Sequence, residues 1–167
     1  MKNAIRFIAM LSVAAFALSI PVGSAFAAGP PDSTTIPKLF DQVKHDAAQV
    51  IYDADVLESC RHSKFDWKTY AQVLTSVKEH ANSLFRSYYQ LQQMRDKGTP
   101  AQQKAIDQLE PLLRDMAASL TNTFQALKEH PDRVNMPSFR TRVHANWEKI
   151  NAVYKLLCQC TSKNLLA

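Results

Sequence analysis

The sequence predicts an all-α fold, an up-down-up-down four-helix bundle that follows a cleaved signal peptide. Two observations predict the helices. Only one of the three glycines, Gly98, lies well inside the part of the chain that remains after the signal, and Ala, Leu, Gln and Lys are abundant. Four segments also repeat apolar residues at spacings of three and four, which places those residues on one face of a helix. Segments of roughly twenty to thirty residues joined by short loops pack as antiparallel neighbours.

The N-terminus has the three parts of a secretory signal. Lys2 and Arg6 precede an uncharged apolar run from Phe7 to Ile20. Ala25-Phe26-Ala27 then places small residues at the two positions that a signal peptidase reads. The apolar run has about fourteen residues, whereas a helix that spans a bilayer needs roughly twenty. We therefore expect cleavage after Ala27, no stable membrane span afterwards, and a periplasmic or secreted protein.

Removal of the signal leaves 140 residues, which is the size of one domain with its own core. These residues include 18 basic and 15 acidic side chains, interspersed without a basic run that would follow a phosphate backbone. We therefore predict no nucleic-acid partner. The expected organisation is a signal peptide at 1–27, a flexible leader at 28–36, the bundle at 37–160 and a flexible tail at 161–167.

The first predicted helix begins at Pro37, because a proline in the first turn of a helix costs no hydrogen bond. Its apolar face is formed by Leu39, Val43, Ala47, Val50, Ala54 and Leu57. The charged residues expected to lie off this face are Lys44, Asp46, Asp53 and Asp55.

The second predicted helix has the strongest apolar pattern. Its apolar face is formed by Trp67, Tyr70, Leu74, Val77, Ala81, Leu84, Tyr88 and Leu91. Ser63 or Asp66 is expected to cap its start. Gly98 is expected to mark its end, after Arg95 and Lys97 in the last turn, where cations favour the helix dipole.

The third predicted helix starts with a capping box, Thr99-Pro100-Ala101-Gln102, which has proline at the first helical position. Its apolar face is formed by Ile106, Leu109, Leu113, Met116, Leu120, Phe124 (or Thr123) and Leu127. Pro111 removes one backbone hydrogen bond inside the helix, so a kink is expected there. The helix is expected to end at His130-Pro131.

The fourth predicted helix starts between Asn135 and Ser138 and ends near Cys160. Its apolar face is formed by Phe139, Val143, Trp147, Ile150, Tyr154 and Leu157. All four apolar faces are expected to point into the bundle, which would leave no spare apolar surface for a partner or a membrane.

Candidate haem and di-iron ligands do not form a recognisable site. A covalently attached haem needs Cys-x-x-Cys-His, whereas the chain has Cys158-Gln159-Cys160 followed by threonine. His80 and His144 lie at the edges of the second and fourth apolar faces, and we interpret them as boundary residues. A di-iron site needs Glu-x-x-His on two helices, but Glu and His are adjacent at 79–80 and at 129–130.

Two further carboxylate–histidine pairs have the i, i+4 spacing of neighbours on one helix face: Asp41 with His45, and Glu58 with His62. Two ligands are too few for a metal site, so we interpret both as surface pairs. The chain also lacks Gly-x-Ser-x-Gly and glycine-rich phosphate loops. We therefore predict no catalytic residue, no cofactor, no metal site and no enzymatic activity.

The three cysteines are an odd number in a protein predicted to be exported to a place where disulfides form. Cys60 lies near the end of the first helix, whereas Cys158 and Cys160 lie near the end of the fourth. In the predicted topology these ends are roughly 30 Å apart, but a disulfide needs Cα atoms within about 7 Å. We expect thiols without a stable disulfide first, an intermolecular disulfide second, and a Cys-x-Cys clip for a soft ion such as Cu(I) third.

Four stretches carry a family resemblance: FDWKTYA at 65–71, VKEHAN at 77–82, TPAQQKAID at 99–107 and PLLRDMA at 111–117. They resemble a family of uncharacterised secreted helical proteins from acidobacteria, over most of the chain from the second helix onward. The resemblance implies an exported helical fold and transfers no activity or catalytic residue. Cys158 and Cys160 depart from the family pattern. His80 and Asn82 lie within it, and we interpret them as a hydrogen-bonding pair at a helix boundary.

The leading functional hypothesis is a non-enzymatic protein of the cell envelope with a structural or protein-binding role. The alternative is a binder of a small ligand or metal ion that uses the bundle interior or Cys158 and Cys160. A helical periplasmic chaperone is a third hypothesis, although the Leu-Thr-x-x-Gln signature of such proteins is absent. The sequence leaves open the identity of a protein partner, the choice between monomer and dimer, and the choice between periplasm and external medium.

Overall fold

The computed structural model describes residues 35–162, with side chains described as far as Cys160. Four helices make up most of this part of the chain: α1 (Thr35–Cys60), α2 (Trp67–Gln93), α3 (Pro100–Glu129) and α4 (Pro137–Ser162). Short 3-10 turns, Arg95–Lys97 and Pro131–Arg133, follow α2 and α3. The prediction of an all-α four-helix fold is confirmed, and the described residues contain no strand.

Several predicted boundaries differ from the observed ones by a few residues. α1 begins two residues before the predicted start, so Thr35 and Ile36 are helical rather than part of the leader. α4 continues two residues beyond Cys160. The predicted signal peptide, with its cleavage after Ala27, and residues 163–167 of the predicted tail lie outside the described residues.

Local capping explains where two of the helices start. The Asp66 carboxylate accepts a hydrogen bond from the backbone N–H of Thr69 at 2.9 Å and caps α2. This bond, together with one from the Thr69 hydroxyl, lowers the pKa of Asp66. At α3, Thr99 Oγ1 accepts from the N–H of Gln102 at 3.3 Å, and Gln102 Oε1 accepts from the N–H of Thr99 at 2.9 Å. The predicted capping box is therefore confirmed.

The interior of α3 and the end of α2 add two details. α3 remains helical through Pro111, whose ring is exposed. Arg95 lies in the 3-10 turn after α2 rather than in the last turn of that helix. Its guanidinium donates to both oxygens of Asp107 on α3, at 2.6 and 2.7 Å, so this arginine ties the α2–α3 connection to α3.

Side-chain contacts show that neighbouring helices run in opposite directions, as an up-down-up-down order requires. In each neighbouring pair, a residue further along one helix contacts a residue earlier in the other. The contacts are Asp46 with Ser87 and Asp53 with His80 for α1 and α2, Asp55 with Trp147 and Glu58 with His144 for α1 and α4, and Asp115 with Lys149 and Ser119 with Asn146 for α3 and α4. The α1–α2 and α3–α4 connections therefore lie at the same end of the bundle.

The apolar faces of the four helices form one core. Tyr70 shows how the core is closed near the α1–α2 connection. Its ring packs edge-on against Phe139 of α4, with 5.2 Å between ring centroids, and its hydroxyl donates to the carbonyl of Cys60 at 3.0 Å. Because the phenol is buried, its pKa is raised.

The structure corrects the predicted core at several positions. Asp46 and Asp53, predicted to lie off the apolar face of α1, are 9% and 8% exposed. Trp67, predicted to be in the core, is 46% exposed. In α4 the polar residue Asn146 is more deeply buried than the neighbouring Trp147, which only packs against the edge of the core. The buried polar residues face partners on other helices, which a pattern of apolar residues does not reveal.

In α3, Thr123 is the buried member of the pair Thr123 and Phe124, and the phenylalanine is only partly buried. The aromatic ring still meets a cation, because the ammonium group of Lys78 on α2 lies 5.7 Å from its centroid.

None of the described helices is long and apolar enough to cross a membrane.

Candidate functional site

The strongest candidate for a binding surface is the end of the bundle where two connections meet. We call residues 61–68 and 128–142 the loop end. They comprise the α1–α2 connection, the α3–α4 connection and the adjoining first or last turns of helix. The side-chain amide of Asn135 donates to the backbone carbonyl of Phe65 at 3.1 Å, so the two connections are in direct contact. Residues 70 positions apart in sequence are thereby joined in one surface.

Three large apolar side chains are exposed at the loop end. Phe65 is 39% exposed, Trp67 46% and Met136 53%. The expectation that all apolar surface would be used inside the bundle is therefore wrong at this end. Trp67 is the first residue of α2. Exposed aromatic and methionine side chains grouped on a surface are typical of sites of interaction.

The positive charge of the chain is concentrated at the same place. The loop end has seven basic residues (Lys or Arg) and three acidic residues (Asp or Glu). The rest of the chain after residue 27 has eleven basic and twelve acidic residues. The five exposed cations are Lys64, Lys68, Lys128, Arg133 and Arg142. The whole positive excess of the chain beyond the predicted signal therefore belongs to the loop end, although no basic run is visible in the sequence.

One of these cations lies over an exposed aromatic ring. The ammonium group of Lys68 is 6.0 Å from the centroid of the Trp67 ring, at the outer limit of a cation–π contact. At this position an exposed aromatic ring and an exposed cation are in contact.

A partly buried ion-pair cluster lies beneath the loop end and joins α1 to α4. Glu58 Oε1 contacts Arg61 Nη2 at 2.6 Å and His144 Nδ1 at 2.9 Å. Three buried polar atoms of this region have no hydrogen-bond partner in the described chain: Glu58 Oε2, Arg61 Nε and Arg140 Nε. The spacing in the sequence predicts that Glu58 pairs with His62. In the structure it pairs with Arg61 and His144 instead.

The other predicted histidine contacts also differ from the observed ones. His80 Nδ1 lies 2.5 Å from Asp53 Oδ2 of α1, so its partner is a buried carboxylate on another helix and not Asn82. Among the described ion pairs none joins Asp41 to His45, despite their spacing. The pair is a contact between α1 and α2.

The cysteines lie away from the loop-end surface or beneath it. All three are thiols rather than disulfides; Cys60 and Cys160 are buried and Cys158 is partly buried. Burial raises the pKa of Cys60, which disfavours the reactive thiolate. Residues two apart on a helix point about 200° away from each other. Because α4 is continuous through Cys158 and Cys160, these side chains cannot both face one ion from a regular helix.

No other arrangement among the described residues gathers reactive groups. No group of three or more His, Cys, Asp or Glu side chains in the described part of the chain is placed to hold a metal ion. A depression between α3 and α4 is lined by Leu112, Asp115, Ala145, Glu148, Lys149 and Ala152. Its charged groups are partly neutralised by each other, since Lys149 Nζ lies 3.7 Å from Asp115.

A comparison of the chain with family models, curated proteins and solved structures finds no match. The resemblance to secreted helical proteins of acidobacteria therefore stays a prediction. The feature that carries a functional proposal is the loop end, where exposed apolar side chains and cations without an ion-pair partner in the described residues occur together.

Proposed function

We propose that the protein is a non-enzymatic binding protein of the cell envelope, which contacts its partner through the loop end. The observation that supports this function best is the coincidence of exposed Phe65, Trp67 and Met136 with the positive excess of the chain. Its place in the envelope follows from the predicted signal peptide at 1–27, and the predicted relationship to exported helical proteins agrees with that place.

The energetic argument starts from the apolar area that the loop end leaves in water. A large aromatic side chain has an area of about 150–250 Å² to bury, and about half of that is still available at Trp67. At roughly 25 cal/mol per Å², covering this area contributes about 2 to 3 kcal/mol. Phe65 and Met136 add contributions of similar size. Together these contributions are large enough to support binding once a partner covers the surface.

Binding, rather than catalysis, fits the side chains found elsewhere in the described structure. The polar groups in the bundle interior are used in contacts between helices, as in the pair formed by Asp53 and His80. The thiols of Cys158 and Cys160 do not share a face of α4, so the alternative function as a metal binder through these residues gains no support from helix geometry.

The test is sedimentation of the purified exported protein with an envelope fraction prepared from the native host. The informative variant replaces Trp67 and Met136 by serine. Its matched control replaces Tyr52 and Tyr89 by serine, because these two side chains are also at least half exposed but lie outside the loop end.

We expect the wild type and the control variant to sediment with the envelope fraction and the loop-end variant to remain in the supernatant. Circular dichroism must show that all three proteins keep the same helix content. Failure of the wild-type protein to bind, or equal binding by the loop-end variant, would contradict the proposed function.

A further inference from the structure

The exposed cations of the loop end lack neutralising partners within the described chain. None of Lys64, Lys68 and Arg133 takes part in an ion pair there. Two of the three acidic residues of the loop end are used locally: Asp66 caps α2, and Glu129 accepts a hydrogen bond from Gln125. The surface therefore presents positive charge outward, and its partner is expected to be anionic.

The types of the exposed cations indicate a spread of negative charge rather than one specific carboxylate. Lysines, which act as point charges on flexible stems, supply three of the five exposed cations. Arginine, which recognises a carboxylate with two parallel hydrogen bonds, supplies the other two, Arg133 and Arg142, while Arg61 and Arg140 are partly buried. The exposed charges come from both connections and from the adjoining turns of helix, and one of them, Lys68, lies over the Trp67 ring.

The apolar side chains match the same kind of partner. Tryptophan is enriched at the boundary between lipid headgroups and acyl chains, where its ring lies beside cations that contact the phosphates. Trp67 with Lys68 over its ring has this arrangement, and Phe65 lies two residues before it. All three apolar side chains are at one end of the bundle, so they could enter a lipid surface together without unfolding a helix.

We propose that the partner of the loop end is an anionic lipid surface, on which the protein binds end-on as a peripheral protein. This inference rests on the proposed function, because it names the partner class of the same surface. The lipid phosphates attract the loop-end cations, while Phe65, Trp67 and Met136 enter the headgroup region. Each cation that reaches the surface field contributes roughly a fivefold change in partitioning.

The test is binding of the exported protein to vesicles of phosphatidylcholine that contain or lack 40% phosphatidylglycerol. Two triple variants test whether binding depends on where in the protein the positive charges lie. The first, Lys64→Gln/Lys68→Gln/Arg133→Gln, removes three exposed cations from the loop end. The control, Lys38→Gln/Lys97→Gln/Lys104→Gln, removes three exposed cations near the opposite end and changes the net charge equally.

We expect binding to the anionic vesicles, at least about a hundredfold weaker binding to the neutral ones, and loss of binding as salt is raised. The loop-end variant should bind anionic vesicles about a hundredfold more weakly, since three fivefold factors multiply, and the control should stay close to the wild type. Trp67→Ser should weaken binding by about tenfold or more.

Absence of binding to anionic vesicles, or equal effects of the two triple variants, would overturn the lipid assignment. If the protein sediments with the envelope fraction but not with anionic vesicles, and protease treatment of that fraction abolishes binding, the partner is a protein. The proposed function would then stand and this inference would fail. Failure to bind either preparation would overturn both.

Discussion

Replacement of Asn146 by alanine is expected to destabilise the protein more than any single exposed substitution. Asn146 is 1% exposed and lies between α4 and α3. Its Oδ1 accepts from the Ser119 hydroxyl at 2.6 Å, and its Nδ2 donates to Thr123 Oγ1 at 2.9 Å. The hydroxyl of Thr123, also 1% exposed, donates a hydrogen bond to the carbonyl of Ser119 at 3.0 Å. The buried Asn146 and Thr123 and the partly buried Ser119 thus form one hydrogen-bonded network between α3 and α4.

The magnitude follows from what alanine leaves behind. Two hydrogen bonds are lost, each with a net contribution of about 1 kcal/mol, and a buried Thr123 oxygen loses its donor, which costs about 1 kcal/mol more. The expected loss in the free energy of unfolding is therefore about 3 kcal/mol. A domain of this kind is stable by about 5–15 kcal/mol, so the loss is readily measured.

A second variant separates loss of the network from loss of packing. Asn146→Leu combined with Ser119→Ala and Thr123→Val removes all three polar groups and keeps the site filled. This triple variant should lower the free energy of unfolding by less than Asn146→Ala does, because no buried polar group is left without a partner. Urea unfolding followed by circular dichroism at 222 nm measures both. The reasoning would be refuted if Asn146→Ala lowered the free energy of unfolding by less than about 0.5 kcal/mol, or if the triple variant lowered it by more than Asn146→Ala.

Three further predictions concern ionisation, thiol reactivity and capping. Burial, with the nearby charges of Glu110 and Asp107, raises the pKa of Tyr88 to about 12, so the folded state favours the neutral phenol. The stability from this group is complete below about pH 10 and is lost as pH rises towards 12. Absorbance at 295 nm should show a late tyrosine titration whose amplitude falls in Tyr88→Phe, while the contribution of Tyr70, whose pKa is also raised, remains. Cys158 should react with a thiol reagent before Cys60, because burial raises the pKa of Cys60. Mass spectrometry of partly labelled native protein identifies the modified residue, and modification of Cys60 first would contradict this prediction. Thr99→Ala should lower the free energy of unfolding by about 1 kcal/mol, because the capping box is lost. Urea unfolding measures this change, and an unchanged unfolding midpoint would show that the cap does not stabilise α3.

The features that the sequence predicted correctly depend on residues close together along the chain. Apolar spacing located all four helices, and the Thr99–Gln102 capping box was recognisable because its members are three residues apart. Asp66 was one of two proposed caps for α2 for the same reason. Such signals are local, so a single sequence contains them completely.

The buried polar residues were missed because their partners lie on other helices. Asp53 is tolerated in the interior because His80 of α2 faces it, and Asn146 because Ser119 and Thr123 of α3 do. Burial of such groups depends on satisfied hydrogen bonds, and those partners lie 23 to 27 residues away in sequence. Hydrophobic periodicity carries no information about them.

The loop end was missed for a related reason. Its cations are interspersed with acidic residues in the sequence, and they form one basic surface only because the α1–α2 and α3–α4 connections lie at the same end of the bundle. Trp67 has the spacing of a core residue with Tyr70, but it stands in the first turn of α2, where the core ends. Periodicity predicts the face of a helix and not how far the neighbouring helix covers it.

The claim that the loop end is the binding surface is tested most directly by photo-crosslinking in living cells of the native host. A benzophenone amino acid is placed at Trp67 in one variant and at Tyr89 in another; both side chains are about half exposed. They lie 22 residues apart on α2, which corresponds to about 33 Å along the helix. We predict adducts, with either lipid or protein, from position 67 and none from position 89. Any adduct from position 89, or the absence of adducts from position 67, would contradict the assignment of the loop end as the binding surface.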